Sequence, residues 1–417
     1  MTAPAAEASE RSNRREPGAM AWVTTTYFAE GLPYSVVHQI ASQFFTAMHA
    51  SLESIGLVSL YGLAWNLKFA WSPLVDLLGT VRRWLIVLEL LLAASIAWIA
   101  WPAHHGDLGA VARALVVVAV LAATHDIAID GFYLQGLGQR QQAAYAGLRV
   151  AAYRVALLVG NGVLVWLAGT TSWRTCFLAA AVLMAALAGL HHLLLPRPDA
   201  SSDDTSGKKP AGAIRFVDAF LSFFRQPRAA LSIALVLAFR LGDAMMFSMS
   251  TPLQRDLGMD LRMRGLVGGI GTALGIAGTI VAAGIISRKG LRSTLVPIAL
   301  VQGAALPIYA ALAAVRPGLG LVIPAVLIEQ LAAGVGTAGF SVYLMRLCAG
   351  QYKASHFAIA SALMSLAATV SGSASGYIAK AVGYTWFFSL ASVAAVPGIV
   401  LAMIVVSKMP EQSAAGR

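Results

Sequence analysis

Apolar runs of membrane-spanning length recur along this chain from residue 20 to residue 407, separated by short polar or glycine-bearing turns. The pattern predicts helices at 20–47, 53–75, 84–101, 110–137, 142–168, 173–195, 229–253, 264–287, 293–315, 319–346, 354–382 and 385–407. Each has the length, about 17 residues or more, that crosses a bilayer. Backbone polar groups in hydrocarbon must be satisfied within the spanning segment, so the predicted fold class is an all-α membrane protein with twelve transmembrane helices. One stretch breaks the pattern. Residues 196–227 contain PRPDASSDDTSGKKPAG, which suits a solvated linker. It divides the chain into two six-helix bundles, 20–195 and 228–408, with polar tails at 1–19 and 409–417. The halves carry a weak parallel repeat offset by about 210 residues. Gly31 falls opposite Gly242, Gly56 near Gly265, and the basic turn at Arg82 opposite the one at Arg292.

Composition agrees with this pattern: 58% of the 417 residues are hydrophobic and only 12% charged. The formal charge of +11 invites a nucleic-acid partner. The basic residues form no stripe, however, and cluster in alternate loops, which places both termini in the cytoplasm and the lipid bilayer around the helices. Arg255, Arg262 and Arg264, after the seventh run, are the exception. Cys176 and Cys348 have neither disulfide nor metal-ligand spacing. The first apolar run is too long for a signal-peptide core and contains Glu30, so it reads as a retained helix.

The charges inside the runs are the candidate chemistry. Asp126 and Asp130, in THDIAIDGFY (Thr124 to Tyr133), are four residues apart and share one helix face. A charge near the bilayer centre costs at least about 2.5–3.5 kcal/mol on insertion scales, so these carboxylates should face a bundle interior or a wet cavity. An antiparallel hairpin turning near Arg140 sets Asp130 level with Arg149 and Asp126 level with Arg154, which predicts two ion pairs. In the first run Tyr27, Glu30, Tyr34 and His38 form one stripe, with Gly31 and Pro33 suggesting a local break beside Glu30. Tyr61, Trp65 and Lys68 repeat the spacing in the second. Lys68 is expected to snorkel to the interface. Arg240 and Asp243 are three apart in the seventh run, and Glu329 with Gln330 interrupts the tenth. His125 reads as a packed polar residue, because a metal would need several convergent ligands and only Asp126 is obvious nearby.

Two kinds of motif carry a resemblance. SPLVDLLGTVRRW (Ser72 to Trp84) is similar to the loop signature of the major facilitator superfamily, although Ser72 stands where the motif begins with glycine. FAEGLPYS (Phe28 to Ser35), KFAWSPLVD (Lys68 to Asp76) and THDIAIDGFY, in that order, resemble the peptide–acetyl-coenzyme A transporter family of that superfamily. The resemblance covers the first four runs and implies a secondary transporter of the bacterial inner membrane, rocking about a midplane cavity. Its first, fourth, seventh and tenth helices would line that cavity, and each holds an intramembrane charge here. The implied cargo is an anhydro-muropeptide, a sugar–peptide with free carboxylates; siderophore importers of related sequence share the early motifs. On this reading Asp76, Arg82 and Arg83 form the gating loop. Arg149, Arg154 and Arg240 meet carboxylates, Tyr34, Tyr61 and Trp65 offer sugar platforms, and His38, Asp243 and Gln330 complete the binding set. Glu30 and Glu329, with Asp126 and Asp130 behind them, carry the coupled proton. A monomer is expected.

Gly334, Gly336 and Gly339 spell the dinucleotide fingerprint G-x-G-x-x-G, but inside an apolar run rather than after a strand. Helix packing is the expected role, as for Gly271, Gly275 and Gly278. No nucleophile elbow, P-loop or HExxH occurs, so neither an enzyme nor a cofactor is expected. A membrane receptor that does not transport is the remaining reading from another class.

Overall fold

Polar residues at the turns start the long helices. Thr80, Asp107, Ser172 and Asp260 each accept a backbone N–H three residues on, Asp107 from Ala110 at 2.9 Å and Asp260 from Met263 at 2.7 Å. The structure is a computed structural model that describes residues 18–196, 221–348 and 353–409. Most of the expected linker and the tails before 18 and after 409 lie outside the described residues.

All regular structure among the described residues is helical. In chain order it comprises α1 (Ala19–Ser35), α2 (Ala41–Ala47), α3 (Leu52–Leu57), α4 (Leu63–Leu67), α5 (Ser72–Leu77), α6 (Val81–His104), α7 (Leu108–Gly136) and α8 (Gln139–Leu158). There follow α9 (Val165–Thr170), α10 (Trp173–Leu194), α11 (Ala229–Phe239), α12 (Leu241–Asp256), α13 (Leu261–Lys289), α14 (Leu291–Ala305), α15 (Pro307–Val315), α16 (Leu319–Arg346) and α17 (Lys353–Ser407). Nine helical stretches among the described residues are long and apolar enough to cross a membrane. The last of them bends at Gly383, whose φ of 77° is open to glycine without strain.

Interruptions fall where the sequence carries proline, glycine or charge. Pro33 does not break the first run as expected. Its missing N–H is absorbed within a helix that continues to Ser35 and then widens into a π-helical turn, Val36–Ile40. A second π-helical turn, Val159–Leu164, packs against the first, and Gly160 leaves room there for the Ser35 side chain. The second run is not one helix: 3-10 turns at Val58–Gly62 and Lys68–Ala70 divide it.

The chain divides into two compact units. Among the described residues, the first takes 18–41 and 67–196, and the second takes 42–66 with 221–348 and 353–409. In the first, α6 packs on α7 and α10, and α1 on α8 and α7. Its apolar core includes Trp22, Leu85, Leu88, Ile129 and Phe132. In the second, α13 packs on α16, and α17 on α11, α12 and α14. Phe239, Leu295, Phe340 and Tyr343 lie at its centre. The segment 42–66, expected within the first bundle, clusters with the second unit instead. Gly56 lies against the backbone of Gly376, Asn66 Nδ2 donates to Thr369 Oγ1 at 3.2 Å, and Glu53 pairs with Lys380. Large apolar side chains such as Trp98, Trp101, Val182, Ile280 and Leu321 are exposed, the surface a lipid-embedded protein presents.

Candidate functional site

The charged centre of the first unit is built on α7. Asp126 is buried, and Lys68 Nζ donates to its Oδ2. This corrects one expectation, that Lys68 snorkels outward, and gives Asp126 a partner that the hairpin geometry does not name. The reason is the 3-10 turn at Lys68–Ala70, which docks on α7. Trp71 Nε1, next in the chain, donates to Thr124 Oγ1 at 3.1 Å and fixes the turn two residues before Asp126. Asp130 does meet Arg149, as the hairpin geometry requires, with Nη1 3.8 Å from Oδ1. The Tyr27 hydroxyl stands between them, donating to Asp130 at 2.8 Å and accepting from Arg149 at 3.2 Å. The guanidinium also lies over the Tyr27 and Tyr133 rings, 5.0 and 5.4 Å from their centroids. This second pair is the open side of the centre: the Asp130 and Arg149 side chains are 44% and 36% exposed, against 9% for Asp126.

Glu30 of α1 stands beside Asp126, with Asp130 and Lys68 within electrostatic reach. Its Oε2 is buried without a hydrogen-bond partner among the described residues. Three carboxyl groups thus share one region, and Lys68 and Arg149 are paired with the other two. Tyr34 and His38 continue the stripe, their rings 4.4 Å apart, and Tyr34 lies 5.8 Å from the Tyr153 ring. Arg154, beside Tyr153 on α8, is half-buried.

The second unit holds the other expected residues. Tyr61 and Trp65 are half-buried on the segment 42–66. Arg240 sits at the break between α11 and α12, and its Nη1 meets Asp243 Oδ2 at 2.9 Å. Glu329 of α16 is buried, and Gln330 Nε2 donates to its Oε2 at 3.2 Å.

The expected gating loop is only partly described. Arg82 donates to the carbonyl oxygens of His192, at 2.7 Å, and Leu195, at 3.2 Å, and so closes the last turn of α10. The Asp76 side chain lies outside the described residues, and Arg83 is exposed.

The fingerprint glycines are packing residues. A Cβ at Gly334 would strike the backbone of Gly275, one at Gly278 would lie 2.5 Å from the Leu331 carbonyl oxygen, and one at Gly336 would strike the Gln302 side chain. Thr279 Oγ1 seals the same crossing by donating to the Gly334 carbonyl oxygen at 2.9 Å.

A helical membrane protein with charges set at helix breaks fits a solute pathway, and similarity to known proteins identifies the kind. The model of the Major Facilitator Superfamily matches residues 23–348. The chain belongs to the major facilitator superfamily. It is therefore a membrane transporter for small molecules. The chain is 32% identical over 389 residues to the anhydromuropeptide permease of Escherichia coli K12, covering 90% of this chain and 77% of that protein. It is 24% identical to a putative transporter, AmpG 4, of Rickettsia felis, covering 91% of this chain and 94% of the relative. In fold, this transporter is similar to a D-xylose–proton symporter, with a TM-score of 0.71, 14% identity and coverage of 94% and 98%. The nucleoside transporter NupG gives a TM-score of 0.68, with 16% identity and coverage of 94% and 99%.

Sequence reading did not find Tyr27 as a bridge between Asp130 and Arg149, or the Trp71–Thr124 clamp. Tyr27 lies one turn before Glu30 on the same stripe, and that spacing was the available signal. Nothing in the spacing of Trp71 points to α7.

Proposed function

We propose that the chain is a proton-coupled importer of anhydro-muropeptides in a bacterial inner membrane. The observation that carries this reading is the 32% identity, over 90% of the chain, to a protein named for that cargo. The acid–base centre of the first unit supports it. Glu30 is the carboxyl left over once Lys68 and Arg149 are paired, and it is our candidate for the coupled proton, with Glu329 in reserve. Asp126 and Asp130 shape its field. Tyr34, His38, Tyr61 and Trp65 are the proposed surfaces for the sugar rings, and Arg149, Arg154 and Arg240 for carboxylates. Asp243 and Gln330 would complete the polar contacts, and Asp76, Arg82 and Arg83 would form the gating loop. A siderophore of similar size and charge is the alternative cargo.

We further propose twelve spans in two bundles of six, with both termini cytoplasmic and a monomer as the working unit. The two interrupted runs at 19–47 and 52–77 supply one span each, and the bend at Gly383 makes two of the last long helix. The alternation of basic loops supports the orientation.

Uptake of labelled anhydro-muropeptide into proteoliposomes under an imposed proton gradient tests cargo and coupling together. Glu30→Gln keeps the shape and cannot ionise. It should abolish accumulation against a gradient while leaving exchange across the membrane largely intact. Normal gradient-driven accumulation in that variant would remove Glu30 from coupling, and uptake of a siderophore alone would replace the cargo.

A further inference from the structure

Away from the Glu30 centre, three titratable side chains meet inside the first unit. Glu89 of α6, His125 of α7 and His191 of α10 are each 0% exposed. A single carboxylate oxygen serves both rings: Glu89 Oε1 lies 2.6 Å from His191 Nδ1 and 3.3 Å from His125 Nε2. The atoms on the far sides, Glu89 Oε2, His125 Nδ1 and His191 Nε2, are buried with no hydrogen-bond partner among the described residues. The surroundings are apolar. On α6 Leu88, next to Glu89, and Leu85, Leu92 and Ala93, one turn from it, are buried, as are Met184, Leu187 and Ala188 on α10.

Charge balance decides what this cluster holds. A carboxylate accepting from two neutral rings would leave one uncompensated negative charge in an apolar interior, the arrangement that burial penalises most. The nearest charged side chain along α7, Asp126, is itself acidic and is turned to Lys68. On α10 the neighbouring His192 is exposed. On α6 the next charged groups are Arg82 and Arg83, at its first turn, with Arg82 engaged by the end of α10. Arg113 of α7 and Arg174 of α10 lie at the starts of their own helices. One added proton restores neutrality. It sits either on a ring, as an imidazolium facing the carboxylate, or on the carboxyl between two neutral rings. A second added proton would unbalance the site in the other direction.

We infer that Glu89, His125 and His191 form a proton-binding site, holding one proton between three helices and separate from the Glu30 centre. The ligand is a proton rather than a metal: among the described residues, no group of three His, Cys, Asp or Glu side chains is arranged to hold a metal ion. The site places a second proton on α7 one residue from Asp126, whatever the cargo and whichever carboxyl couples transport. Separating α7 from α6 would part His125 from Glu89, so the site also ties the position of α7 to its bound proton.

The full chain in lipid, labelled with ¹⁵N-histidine and ¹³C-glutamate, gives a direct test at neutral pH. Carbon–nitrogen recoupling selects rings that touch a glutamate carboxyl, without any substitution. The expected result is two selected rings, with either one imidazolium between them or two neutral rings and a protonated-carboxyl stretch in the infrared. Glu89→Gln removes the acid while keeping a neutral acceptor, so that imidazolium signal or carboxyl band should be lost. If that variant does not fold, His191→Gln should displace the same signal by removing the shorter bond. The inference is overturned if no ring is selected. It is equally overturned if both selected rings are neutral and Glu89→Gln removes no protonated-carboxyl band, a difference that separates Glu89 from the buried Glu30 and Glu329.

Discussion

The two units use the charges of their candidate residues differently. In the first, every charged contact of the candidate centre joins separate elements: the turn at Lys68 to α7, and α1 with α8 to α7 through Tyr27 and Arg149. In the second, the direct contacts of the candidate residues run along one stretch of chain, Arg240 with Asp243 three residues on and Glu329 with the Gln330 amide next to it, although Arg240 and Asp243 lie within electrostatic reach of Glu329 on α16. Helices there are joined by small residues, with Gly334 of α16 against Gly275 of α13. The first unit has a close crossing of its own, where Gly31 meets the Tyr153 backbone. Its ion pairs are added to that packing. Charges between helices make their positions depend on ionisation and on an anionic guest, whereas charges within a helix leave the packing to shape.

The largest effect should come from filling the crossing in the second unit. Gly334→Leu forces a side chain into the Gly275 backbone, which cannot swing aside, and overpacking of that kind costs about 3 kcal/mol or more. Gly336→Ala is the control, because its Cβ meets the flexible end of Gln302. Thermal unfolding in lipid nanodiscs should rank Gly334→Leu far below Gly336→Ala. Equal losses would mean that the crossing is looser than the structure gives.

Next is the ion pair at Asp126. Lys68→Met strands a carboxylate that is 9% exposed; Lys68 itself is 33% exposed, so the loss should be about 2–3 kcal/mol, below that of a fully buried pair. Adding Asp126→Leu removes the stranded charge and should recover most of the stability but not transport. A double variant as damaged as the sum of the singles would show that the two residues are not coupled.

Much of this fold was legible in the sequence because hydrocarbon imposes one rule on every helix. Runs such as 173–195 and 319–346 match α10 and α16 closely, since length and apolarity alone define them. The second run reads as continuous in the sequence because its interruptions are 3-10 turns marked only by a single glycine, Gly62, and a single charge, Lys68, which spanning helices also tolerate. That reading carried Lys68 to the wrong place. The pairing of Asp130 with Arg149 could be read from equal distance to the hairpin turn, a local quantity. The meeting of Glu89, His125 and His191 could not, since the three lie on helices whose mutual rotation no local pattern fixes.

The smallest effect should come from the pair inside the second unit. Arg240 is 27% exposed and Asp243 9%, and they face each other at i,i+3 across the break before α12. Their direct contact orders one turn at the break, with Glu329 of α16 within electrostatic reach, and helical pairs of this spacing contribute a few tenths of a kcal/mol when exposed. Partial burial raises that, so Arg240→Gln should cost about 1 kcal/mol, with Gln still able to donate to the carboxylate. The comparison between units then makes a functional prediction. If Arg240 serves only its own helix, Arg240→Gln should leave uptake close to that of the unmodified chain, while Arg149→Gln, which cuts an interhelical bridge, should reduce it at least tenfold. If instead Arg240→Gln abolishes solute binding with folding intact, the guanidinium meets a solute carboxylate during transport. The second unit would then share directly in recognition.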